Sequence, residues 1–358
     1  MENLEQKSIE KLSASAFTMK VLNGISVAVV VTLVPQALLG ELLKALLPIF
    51  PAGQNIINLV GLTSSLLPVI IGMMVAVEFK LTPIQTAVVA ISSVLGSGVA
   101  TAQGDGSFLL KGTGLVINSG VTAALAVGLV LFIGTKLRSY TILLLATLTI
   151  LTVGSIGAFV TYPAVKVFTI WLGKLINGTT ELQPIFMGII LAALFSVLIV
   201  SPVSTVGIAT AIFMEGVSSG TANLGCVAAG MTLMVAGWKA NGFANSIIHI
   251  VGSPKVQMAN MFAHPRCLIP IVLHAAILGG IGGAFQVTGS AISAGFGLSG
   301  LAGPLAALNH EGWGWSAGNI AIVLLCWVIL PFILAVIFTR IFEKIGWTQP
   351  EYYALRFT

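Results

Sequence analysis

The sequence predicts an all-α, polytopic membrane protein of about ten spans, and three observations carry that prediction. Only 8% of its 358 residues are Asp, Glu, Lys or Arg, against roughly 25% in an ordinary soluble domain. Hydrophobic residues make up 57%, and the mean hydropathy is +1.05. Several apolar runs reach the roughly 20 residues needed to cross about 30 Å of hydrocarbon. A β-barrel also satisfies every backbone group in lipid, but it would show segments of about 10 residues alternating apolar and polar. "TILLLATLTILTVGSIGAFV" and "NIAIVLLCWVILPFILAVIF" are continuous instead, and the barrel is rejected.

Taken in order, residues 1–20 read as a short cytoplasmic lead without the pattern of a cleaved signal. The transport domain follows over 21–340, with spans at 21–40, 55–77, 83–103, 114–134, 141–162, 184–201, 203–222, 224–238, 268–286 and 317–339. "KVFTIWLGKLING" reads as an interfacial helix, 239–266 as a long polar connection, and 341–358 as a cytoplasmic tail. The segment 287–312, "QVTGSAISAGFGLSGLAGPLAALNHEGWGW" in its wider context, is too rich in Gly, Ser and Pro for a lipid-facing helix. Irregular backbone at membrane depth survives only when buried in protein or lining water. Composition therefore favours a re-entrant hairpin there over an external loop.

Orientation follows from the basic residues, which stay inside. With a cytoplasmic N-terminus, twelve of the sixteen lie inside, Lys239, Lys255 and Lys344 among them, and only Lys44, Lys111, Lys166 and Lys174 lie outside. Both termini are then cytoplasmic. The net charge of +5 is a topology signal; there is no basic run with interleaved aromatics, and nucleic acid is not an expected partner. Cys226, Cys267 and Cys326 lack metal-ligand spacing and read as small packing residues.

A weak internal repeat is also visible. "PVIIG", "PIQTAVVA" and "GSGVATAQ" in the first half correspond to "PIFMG", "PVSTVGIA" and "GVSSGTAN" in the second. Transporters built from such repeats place the solute site between them, near the midplane.

Glu215 ranks first among candidate binding residues. Its nearest ionisable neighbours in sequence are Glu181 and Lys239, and a carboxylate within a span is costly enough to imply a cavity or a partner. Gln103 and Asn223 occupy matching places in the two repeat units and form a candidate polar pair. Asp105 fits a turn between glycines, and Glu78 reads as a solvated pair with Lys80. In the long connection, Asn241, Asn245 and His249 are spaced to share one helical face, suited either to hydroxyl-rich ligands or to water; Asn260 and Lys239 lie nearby. Asn309, His310 and Glu311 with Trp313 and Trp315 suit a sugar ring or an interfacial aromatic belt. No catalytic motif, metal cluster or cofactor fingerprint is present: "GGIGGAF" has no preceding strand.

The order of "PVIIGMMVAVEFKLTPIQTA", "GWKANGFANSIIHIVGSPKVQMANMFAHPR" and "GLSGLAGPLAALNHEGW" resembles the membrane subunits, enzyme IIC, of the bacterial sugar phosphotransferase system, in the toxin-regulator-like branch. The likeness runs from about residue 15 to 345. It implies a permease in the bacterial cell membrane with re-entrant hairpins, a homodimer, and transfer of sugar to separate phosphorylated IIB and IIA partners. It also implies that this subunit carries no phosphohistidine. The Gly-Ile-Thr-Glu motif of glucose-type members is missing, and "FMEGVSS" stands loosely in its place, so the resemblance puts the sugar carboxylate on Glu215 by position only. The alternative is a stand-alone transporter, or a sensor derived from one.

Overall fold

The computed structural model describes residues 13–133 and 144–355. The lead up to residue 12, the basic residues Lys136, Arg138 and Arg356, and the start of the 141–162 span lie outside it. The chain divides into two compact units, one drawn from the residues up to Thr32 and Leu62–Phe168, the other from Leu33–Gly61 and from Thr169 onward. Six helices among the described residues are long and apolar enough to cross a membrane, seven if one bent pair is a single span. The all-α membrane fold holds, and Pro83–Ser97 and Pro184–Leu198 add two shorter apolar helices to these spans.

In the first unit, α1 (Ala14–Leu46, its first part), α3 (Leu67–Glu78), α4 (Pro83–Ser97) and α5 (Val116–Ile133) pack through small residues; α2 (Gly53–Ser65), most of which belongs to the second unit, precedes α3 in the chain. A Cβ on Gly24 would meet the backbone of Val75, and one on Gly72 the backbone of Ala90, so these helices touch main chain to main chain. Thr82 and Gln85 form a reciprocal capping box at the start of α4.

The expected span 83–103 is shortened here. Helix α4 stops at Gly98 in the left-handed region, φ 68°, and a small hairpin of β1 (Ala100–Ala102) and β2 (Phe108–Leu110) follows. Glycine suits this position twice over, since the left-handed turn disfavours a side chain and a Cβ there would strike the Tyr162 ring. The next helix, α6, runs over Ala146–Thr179 with π-helical turns at Ile150–Gly154 and Gly157–Thr161. The expected interfacial helix is therefore the continuation of this span.

The second unit is built on three helices: α7 (Pro184–Leu198), α9 (Gly216–Ser246) and α10 (Pro265–Ala284, opening with a 3-10 turn). Gly188 and Gly279 face each other's carbonyls, Gly225 meets Ala192, and Gly283 meets Pro184. Among these helices the glycines are contact points, which explains "GGIGGAF". Trp327, from α12 (Ala317–Lys344), is wholly buried beside Leu224, Leu278 and Leu308.

Where two spans were expected at 203–222 and 224–238, the chain forms a seven-residue helix α8 (Thr205–Ala211) and then α9, which runs across the boundary of the two expected spans without interruption up to a kink at Gly242. The small polar run "GVSSGTAN" looked like an exit from the membrane. It is the first two turns of a helix that is buried almost all round, where small residues admit close neighbours. The third repeat match fails with it, because "GSGVATAQ" straddles a helix end and a strand. What the two halves share is a helix opened by proline, at Pro68 and Pro184.

The segment 287–312 is a hairpin folded into the second unit. It begins beside the start of α9, where Gly216 and Gly289 exchange backbone hydrogen bonds of 3.0 Å each way. Its tip, Leu298 and Ser299, packs on Met231 and Met234 and donates to Val251 O at 3.0 Å. It returns through α11 (Ala302–Asn309), and Thr288 Oγ1 donates to Ala307 O at 3.4 Å across its mouth. Fifteen helical residues from Gly216 to Met231 make it about 22 Å deep.

Candidate functional site at the start of α9

The turn from α8 into α9 is set by backbone conformation. Phe213 (φ 53°) and Gly216 (φ 63°) are both left-handed, and Glu215 between them is extended, φ −151°. Glu215 is thereby pushed out of the helix as its N-cap residue while Met214 stays buried. Its side chain is exposed and gives α9 no capping bond. An ionised carboxylate at a helix N-terminus is favoured by the aligned peptide dipoles.

Hydroxyls crowd beneath it. Ser218 Oγ donates to Glu215 O at 2.9 Å, Ser219 Oγ donates to Ser290 O, and Ser290 N donates to Ser293 Oγ at 2.9 Å. The mouth of the hairpin continues into the 309–315 turn. Trp313 Nε1 donates to Gln286 O at 3.1 Å, Trp315 Nε1 to Asn309 Oδ1 at 2.9 Å, and His310 Nδ1 lies 2.8 Å from Glu311 O. Asn319 ties the turn by donating to Trp313 O at 2.5 Å. Glu215, Asn309, His310, Glu311 and Trp313 therefore belong to one end of the second unit.

Asn223 sits deeper and has a different task. Its amide donates to Ser293 O at 2.5 Å and Gly297 O at 3.1 Å, and its carbonyl accepts from Trp327 Nε1 at 2.8 Å. It is fully buried, and it clamps the hairpin to α9 and α12. Gln103 is in the first unit, exposed in the β-hairpin, with its amide on Thr101 O at 3.1 Å. The first-unit residue that acts like Asn223 is Asn118, whose amide bridges the carbonyls of Gly96 and Gly157, at 2.5 and 2.9 Å.

The Asn241–Asn245–His249 stripe does not form one face. Gly242 breaks α9 with φ 74° and ψ 164° between the first two, and all three lie at the opposite end of α9 from Glu215, about 39 Å along the axis for 26 residues. Asn245 is exposed and donates to Asn241 O at 3.0 Å. Asn241 and His249 are instead bonded into a network around the chain's C-terminal residues. Burial pushes His249 down to about 4, which holds the imidazole neutral.

Two further expectations change. Glu78 is not solvated: it is buried, and it accepts from Asn23 Nδ2 while Lys20 Nζ donates to its backbone oxygen at 2.6 Å. Lys255 is no loop cation either. Its buried ammonium donates to Ser201 O and Val203 O at 2.7 Å each, and to Leu198 O at 3.5 Å, closing the carbonyl end of α7. Burial draws it down to about 7.

The sequence reading passed over His274, within "IVLHAAIL" of α10. It is wholly buried, its Nδ1 lies 2.8 Å from Thr232 Oγ1, and its Nε2 has no partner among the described residues. An ionisable residue in the middle of an apolar run was a legible signal.

A bundle of apolar helices, with an irregular polar hairpin folded against the buried helix α9, defines a polytopic membrane protein. The family model "Phosphotransferase system, EIIC" matches residues 19–355. The chain belongs to that family of phosphotransferase-system permease subunits. No curated protein and no solved structure matches it.

Proposed function

We propose that this protein is the translocating subunit of a phosphotransferase complex, binding a sugar at the mouth of the 287–312 hairpin. Glu215 is the principal acceptor for its hydroxyls, and Trp313, at the same end of the unit, offers a ring face. The observation that supports this most is the pairing of a full-length family match with an exposed carboxylate held out of a helix start. Asn309, His310 and Glu311 form the polar rim. Asn223 contributes by holding the hairpin. In this reading the protein is a homodimer in the bacterial cell membrane, with separate IIB and IIA phosphocarriers and both termini in the cytoplasm. The ends of α9 and α12 support that orientation, for Lys239 and Glu343 pair at 2.9 Å and so share one end.

The test is equilibrium binding of a sugar panel to purified protein in nanodiscs. A hydrogen bond to a charged group contributes about 1.5–3 kcal/mol, so Glu215→Gln is expected to weaken binding by about 10- to 100-fold at an unchanged melting temperature. Wild-type affinity in Glu215→Gln would remove the carboxylate from the site. A second reading, an ion-coupled transporter without phosphotransfer, draws on the unpartnered Nε2 of His274. Proteoliposomes decide between the two: uptake of unmodified sugar without phosphocarriers, abolished in His274→Gln, favours the second.

A further inference from the structure

The end of α9 remote from Glu215 holds a groove that reads peptide backbone. Asn241 Nδ2 donates to Tyr353 O at 2.9 Å, and its Oδ1 accepts from Leu355 N at 2.7 Å. Gln257 Nε2 donates to the same Tyr353 O at 2.7 Å, and Asn260 Nδ2 to Ala354 O at 2.8 Å. Three carboxamides thus meet two carbonyls and one N–H where a 3-10 turn, Pro350–Tyr353, passes into extended backbone at Ala354, and none of these bonds depends on which side chains the segment carries. The Tyr353 ring is buried and Tyr352 stacks on His264, with centroids 4.1 Å apart.

The amides are oriented from behind. His249 Nδ1 lies 2.6 Å from Ser246 O, which can only accept, so the proton is on Nδ1 and Nε2 is an acceptor. Gln257 Nε2 donates to that Nε2 at 3.1 Å and spends its other hydrogen on Tyr353 O. Gln257 Oε1 accepts from Asn260 Nδ2 at 2.7 Å. Each of these bonds pairs a donor with an acceptor, and reversing any of the three amides would set acceptor against acceptor.

Gln257 is wholly buried and Asn260 nearly so. With the segment gone, these groups would be left with unmet hydrogen bonds, so the groove demands an occupant. The segment follows the end of α12, opens with a 3-10 turn over Pro350–Tyr353, and is anchored by the buried Tyr353 side chain. We propose that this groove is an exchangeable binding site for a short peptide segment that carries adjacent aromatic residues in a single turn, and that the protein's own C-terminal segment is its resident occupant, a strap that closes this end of the second unit.

Two measurements on the full chain test this. In hydrogen exchange, the Leu355 amide should open in a local event, well before global unfolding, and Gln257→Leu should speed its exchange by about tenfold, as expected for losing about 1.4 kcal/mol. Exchange only through global unfolding would make the segment a permanent part of the fold and overturn the proposal. In the second, a protease site inserted between Thr348 and Gln349 is cut after purification, and a labelled peptide of the sequence QPEYYALRFT is added. Saturable entry into the cut protein, absent from the uncut one and weakened about tenfold by Gln257→Leu, is the expected result. Failure of the labelled peptide to enter cut protein that remains folded would also overturn it.

Discussion

Replacing Asn223 by alanine should loosen the hairpin without touching the proposed solute carboxylate. The cost can be worked from its three partners. Ser293 O and Gly297 O each keep another donor, Phe296 N at 3.1 Å and Gly303 N at 3.3 Å, so each loses a bond with a net value of about 1 kcal/mol. The Trp327 indole has no such substitute: its N–H is fully buried and bonded to Asn223 alone. An orphaned buried donor costs about 1–3 kcal/mol. The sum is about 3–5 kcal/mol, or about 6–20 °C in Tm for a unit of this size. Thermal unfolding in detergent measures it, and hydrogen exchange over 287–309 should show the protection lost at the hairpin first. Asn223→Asp should be no better, because a carboxylate cannot donate to the two carbonyls it would face. A variant that melts within about 1 °C of the parent, with unchanged hairpin exchange and weakened sugar binding, would refute the clamp and return Asn223 to the ligand.

Other perturbations test the remaining packing and charge arguments. Gly279→Leu should fail to assemble α7 against α10, because even a Cβ there collides with Gly188 O; overpacking of this kind costs about 1–3 kcal/mol or more, read as a lower melting temperature. His249 lies below its ordinary value, so the unfolded chain binds the extra proton between about 6.5 and 4. Stability should be complete above that window and fall by up to about 3 kcal/mol as the pH drops through it; His249→Gln should flatten that part of the melting profile. For topology, Lys344→Cys in a cysteine-free background is exposed and should resist labelling from outside intact cells. Lys255→Cys is not a usable probe, since that position is buried from either side.

What the sequence determined alone was whatever depends on local composition. A charged fraction of 8% and runs of apolar residues place the chain in a bilayer whatever its tertiary contacts. Gly, Ser and Pro between 287 and 312 showed that this segment could not face lipid. The family resemblance was legible for the same reason, as short strings in a fixed order. The tertiary structure decided which polar groups are free. Asn223 meets Ser293 and Trp327 across 70 and 104 positions, Lys255 meets Ser201 across 54, and Asn241 meets Tyr353 across 112. A buried amide or ammonium must find a partner, but nothing local in the chain says whether that partner is a solute or a distant carbonyl. "GVSSGTAN" shows the same division for backbone: its small residues suit an exit from the membrane or a crowded helix start equally, and only the presence of Gly289 and Val287 against Gly216 and Gly220 makes it the latter.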